Sequence, residues 1–84
     1  MLVISFESTH HAMFGEKMLK KSDLQIMVIP TPRELDKSCG ISIKIEKEDM
    51  DSAVDIINKY NIAIKGVYEI EKNKKAIKVY PRED

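Results

Sequence analysis

Apolar positions recur along this chain in two rhythms, and the alternation between them predicts the elements. Residues 1–6 are apolar on both alternating faces apart from Ser5, as in a central strand covered on both sides. Ser8 or Thr9 then offers an N-cap, and a helix runs from it to about residue 21. At ~100° per residue, His11, Ala12, Gly15, Met18, Leu19 and Ser22 fall on one side of that helix and His10, Met13, Glu16, Lys17 and Lys20 on the other. His11 therefore leans toward the sheet and His10 toward water. Residues 24–29 read as a second strand, with Leu24, Ile26 and Val28 inward. In residues 41–45, Ile41, Ile43 and Ile45 alternate with Ser42 and Lys44 as a third strand.

The helical period returns over residues 48–60, where Met50, Ala53, Val54 and Ile57 share a face and Glu48, Asp49 and Asp51 load the first turn with negative charge. Asn61 suits a left-handed stop. Residues 64–70 form a fourth strand, and Lys72-Asn73-Lys74 turns into a short fifth strand over 76–80, which Pro81 ends. Strand, helix, strand, strand, helix, strand is the order of an α+β, ferredoxin-like βαββαβ plait. A right-handed crossover then gives an antiparallel sheet of order 4-1-3-2 with both helices on one face.

The plait has a consequence for chemistry. The end of the first strand, the start of the first helix and the loop between the second and third strands fall at one end of the sheet. Ser8, Thr9, His10 and His11 should thus neighbour the segment 30–40, despite ~30 intervening residues. That segment, Pro-Thr-Pro-Arg-Glu-Leu-Asp-Lys-Ser-Cys-Gly, is long for a hairpin connection, and its prolines favour a shaped loop over a floppy one. The prolines also stop the second strand, and Gly40 permits close or left-handed backbone where the third begins.

Composition narrows the function classes. Eighty-four residues make one domain with a modest core, and 43% hydrophobic with 33% charged is ordinary for a globular chain. Fourteen basic residues balance fourteen acidic ones, so no global field favours nucleic acid or an anionic membrane. No apolar run approaches the ~20 residues that span a bilayer, and no signal-peptide pattern opens the chain. A single cysteine cannot form an internal disulfide. Together these point to a cytoplasmic protein with a reduced thiol. No GxGxxG, P-loop, HExxH or CxxC is present, so no cofactor has motif support.

The candidate chemistry centres on Cys39. It is in phase with Ile41, Ile43 and Ile45, and an early start to the third strand would aim its sulfur at the helix-covered face, near the amides and positive dipole of the first helix. His10, His11, Arg33 and Lys37 would be close. Such surroundings lower a thiol pKa and stabilise a thiolate, a persulfide or another bound anion. The competing reading is a buried cysteine acting as a small hydrophobe. His11 has two readings, packing under the first turn or acid/base and anion contact, and a metal held by His10, His11 and Cys39 is a third possibility for the pair. Ser8 and Thr9 are caps first. Thr31, Arg33, Lys37, Ser38 and Gly40 complete the candidate binding set. Val3, Met27, Ile29 and Val67 would make the sheet face away from the helices too apolar to stay wet, which predicts a homodimer or partner there; Tyr68, on the opposite phase, belongs to the core.

Three stretches carry a family resemblance: Phe6-Glu7-Ser8-Thr9-His10-His11-Ala12, Ile29-Pro30-Thr31-Pro32-Arg33 and Ser38-Cys39-Gly40-Ile41. In this order and at these separations, over roughly the first 50 residues, the chain resembles the small selenium/sulfur carrier-like family. The resemblance implies a cytoplasmic carrier, rather than a multiple-turnover enzyme, that holds sulfur or selenium as a persulfide or selenopersulfide on Cys39. Its partners would be sulfur or selenium donor and acceptor proteins. The chain departs from sulfur carriers built on a Cys-Pro-x-Pro motif that begins a helix, because Ile29 precedes its Pro-x-Pro and Cys39 lies beyond it. The alternatives are a noncatalytic small-anion or protein-interaction module and a metal-binding protein.

Overall fold

The computed structural model describes residues 1–35 and 40–82. Its elements are β1 (Leu2–Phe6), α1 (Thr9–Lys21), β2 (Ile26–Pro30), β3 (Ile41–Ile45), a 3-10 turn (Lys47–Asp49), α2 (Met50–Lys59), β4 (Ile64–Glu69) and β5 (Ile77–Tyr80). The five strands form one antiparallel sheet in the order β2-β3-β1-β4-β5. This is the expected 4-1-3-2 order with the fifth strand added beside β4. Ala12, Met18 and Leu19 of α1 and Ala53 and Ile57 of α2 share one buried cluster with Leu2, Ile4, Phe6, Ile43, Ile45 and Val67. The helices therefore cover the face those strand residues present. Gly15 lets α1 sit close to that face, since a Cβ there would lie 2.7 Å from Phe6 Cε2.

Local chemistry sets the boundaries. Ser8 caps α1, its Oγ accepting from the His11 N–H at 3.3 Å. The helix leaves through Asp23 at φ 60, whose N–H donates to Lys20 O, while the Leu24 N–H donates to Leu19 O. Leu24 is thus held by the helix end and the strand starts at Ile26, two residues later than the periodicity predicts. Asn61 adopts the expected left-handed backbone at φ 53. The second helical stretch opens as a 3-10 turn before α2 proper.

Two expectations are corrected by the sheet. Pro30 belongs to β2 rather than ending the strand before it. The Thr31 N–H donates to Gly40 O at 3.3 Å, so alternate residues (Thr31, Ile29, Met27) bond to β3. Pro30 falls between them, where its missing N–H would face outward and removes no ladder bond. The second correction concerns β4. Ile4 lies opposite Val67 but Phe6 opposite Ile64, with the register shifting between Ser5 and Phe6. One extra residue beside Gly66 makes a bulge, so Ile64 and Val67 both face the helices. Val67 is core and Tyr68, opposite Val3, lies on the other face, the reverse of what simple alternation predicts.

That other face is partly covered by the chain itself. Val3, Ser5 and Ser42 lie on it and are buried. Thr31 Oγ1 and Ser42 Oγ are 2.7 Å apart in a hydrogen bond. Leu35 N–H donates to Pro32 O, and Glu34 shares a groove of about 1040 Å³ with Met1, Ile70 and the turn between β4 and β5. The described half of the β2–β3 connection thus leans back over the sheet. Among the described residues, no helix is long and apolar enough to cross a membrane.

Candidate functional site

At the end of the sheet where β1 feeds α1, two of the described candidate residues, Thr9 and Gly40, come together. Gly40 sits against α1: a Cβ built on it would lie 3.5 Å from Thr9 Oγ1, an ordinary contact. The first turn of α1 and the closing end of the β2–β3 connection are therefore neighbours, as the plait requires. Gly40 does not have the left-handed backbone allowed for it; Gly66 is the described glycine with positive φ. Thr31 is half-buried and Arg33 exposed. Lys37, Ser38 and Cys39 lie outside the described residues.

The two histidines diverge as helical spacing demands. His10 is exposed and His11 half-buried, their rings edge to face with centroids 6.0 Å apart. His11 has a definite partner: its Nδ1 accepts from the Ala63 N–H at 3.1 Å. Beside it the Glu7 N–H donates to Ala63 O at 3.1 Å. Ala63, in the link between α2 and β4, is thus held on both its backbone groups. An Nδ1 that accepts a hydrogen bond carries no proton, so the neutral ring keeps its proton on Nε2 as a donor. Sequence periodicity placed His11 on the correct side of α1, but no local signal marks Ala63 as its partner. We expect His11→Ala to destabilise the fold by about 1 kcal/mol, the cost of a typical lost hydrogen bond, and to speed amide exchange at Ala63. Unchanged exchange there would remove His11 from this structural role.

Among the described residues, no group of three or more His, Cys, Asp and Glu side chains gathers to hold a metal ion. Two ionisable groups with shifted pKa values, Glu69 and Lys47, lie at the opposite end of the sheet. The Glu69 carboxyl is held below its ordinary value, first by a hydrogen bond from the Met1 amino group at 2.7 Å and then by one from Lys47 at 3.0 Å. Lys47 is raised in turn, chiefly by its hydrogen bond to Glu69. This cluster fastens Met1 and the start of the 3-10 turn to β4 and takes no part in the candidate site.

One surface feature went unread in the sequence. Met13 and Phe14 on α1 and Tyr60 after α2 are exposed together, with the Phe14 and Tyr60 rings edge to face at 6.3 Å and the Lys59 ammonium 5.4 Å from the Tyr60 ring centre. Met13 follows His10 by one helical turn, which puts this apolar cluster next to the site.

Residues 1–69 match the family described as Putative Se/S carrier protein-like. The chain belongs to this family. The match spans β1 through β4 and so includes both histidines, the whole β2–β3 connection and Ala63; β5 lies beyond it. No curated protein and no solved structure matches the chain.

Proposed function

We propose that this Se/S carrier-like protein carries sulfur or selenium between partner proteins on the thiol of Cys39. The single observation that carries the reading is the approach of Gly40 to Thr9, in a chain that belongs to a carrier-like family. Gly40, the residue that follows Cys39 in the sequence, lies against the opening turn of α1. A helix opening favours negative charge. The His11 Nε2–H and the side chains of Ser8, Thr9 and Thr31 supply further donors at the same end. Arg33 and Lys37 guide the partner, and Ser38 and Gly40 shape the approach to the thiol. The reading requires a compartment that keeps the thiol reduced, such as the cytoplasm.

The transfer balances without an added oxidant. The Cys39 thiolate attacks the terminal sulfur of a donor persulfide; the donor S–S bond breaks as a new S–S bond forms on Cys39, and the donor leaves as its thiolate. The acceptor's nucleophile then attacks the same terminal sulfur and returns Cys39 as thiolate. A selenopersulfide follows the same course, with selenium as the transferred atom.

The test is to incubate the reduced protein with a small-molecule persulfide, weigh the intact chain by mass spectrometry, and then add cyanide as acceptor. The expected result is a gain of one sulfur atom that cyanide removes as thiocyanate. A thiol that titrates at the ordinary ~8.5 of free cysteine and gains no sulfur would overturn the reading.

A further inference from the structure

β2 is an edge strand of the sheet, and alternate backbone groups along it face outward. Since Thr31, Ile29 and Met27 bond to β3, the N–H and C=O groups of Ile26 and Val28 turn outward, together with the C=O of Pro30. Natural sheets blunt such edges with charge, proline or a covering segment. The opposite edge is blunted: β5 carries Lys78 and follows Lys74 and Lys75. The β2 edge carries a proline only at its last position, Pro30; the segment from Leu24 to Pro30 has no charged residue, and Met27 is 58% exposed.

We infer that two copies of this chain pair antiparallel through β2, forming a continuous ten-stranded sheet with a two-fold axis at Val28. Each Val28 exchanges N–H and C=O with Val28 of the second copy. Each Ile26 N–H donates to Pro30 C=O of the second copy, and the proline, which has no N–H, ends the ladder. Two-fold symmetry sets Met27 opposite Ile29 of the second copy, so four exposed or half-buried apolar side chains meet on the face away from the helices. Four backbone bonds and this apolar strip bury less than the ~1,200 Å² total of a standard stable interface, so the pairing is a concentration-dependent equilibrium. Proline 30 of each copy lies four residues along the strand from its mate, roughly 13 Å at ~3.3 Å per residue, which leaves both Gly40–Thr9 ends open.

Sedimentation of the purified chain between ~10 µM and ~1 mM, the range of weak association, tests the inference alongside amide exchange at both ends of that range. The expected result is a mass that rises from one chain toward two, with Ile26 and Val28 amides becoming protected as it does. Met27→Glu gains a cross-strand partner in Lys44 within the monomer, but in the pair it buries a carboxylate against Ile29 of the second copy. It should weaken association by ~10-fold or more, whereas Ile77→Glu on the β5 edge should not. A single-chain mass throughout overturns the inference. So does a dimer that Met27→Glu leaves intact or whose Ile26 and Val28 amides stay open.

Discussion

Gly66→Ala should destabilise the protein by roughly 2–4 kcal/mol, the sum of a positive-φ penalty and a steric one. Gly66 has φ 158, and a Cβ there would lie 2.9 Å from Tyr80 O and 2.8 Å from Lys78 Cε. The lysine tip can swing aside, but the carbonyl belongs to the β4–β5 ladder and cannot move without breaking it. For a domain of this size each 1 kcal/mol lowers Tm by about 4–8 °C, so thermal unfolding followed by circular dichroism should show a fall on the order of 10 °C or more. A change within ~0.5 kcal/mol, the range of ordinary surface substitutions, would mean that the bulge relaxes freely. Because the bulge decides which residues of β4 face the helices, the variant should also perturb Val67 and Tyr68 in opposite senses, the first losing and the second gaining protection.

That same bulge marks where sequence reasoning stops. Alternation is a rule of period two, and it held through β1 and β3, where Ile43 and Ile45 are buried as the pattern demands. In β4 one inserted residue shifts the phase, and nothing in Ile64-Lys65-Gly66-Val67-Tyr68 distinguishes a bulge glycine from an ordinary one except that it is glycine. The order of the strands was legible because only a right-handed crossover fits two strand–helix–strand units of this length. The meeting of Thr9 with Gly40 followed from that order. The partners of single polar atoms did not: the bonds from Ala63 to His11 and between Thr31 and Ser42 join residues distant in the chain, and their signal exists only in three dimensions. Burial of Ser5 and Ser42 belongs with these. Their place among apolar neighbours marked the face correctly, but the folding back of the β2–β3 connection over that face has no periodicity to announce it.

Replacing Cys39 by serine separates the carrier from a binding module more sharply than any other change. Serine differs from cysteine by one atom, yet its hydroxyl is not ionised near neutral pH and makes no persulfide, so Cys39→Ser should reduce sulfur loading to the background of a protein without a thiol. Arg33→Ala should leave loading from a small-molecule persulfide unchanged, because Arg33 is exposed and its proposed part is to guide a protein partner. It should slow transfer only where that partner is a protein. An anion-binding module would show the reverse pattern: Cys39→Ser would retain function and Arg33→Ala would lose it. Measuring both variants for sulfur transfer to a protein partner and for anion binding, with thermal unfolding to confirm that each is folded, decides between the two readings. The carrier proposal fails if the serine variant still acquires sulfur, since the sequence contains no second thiol to receive it.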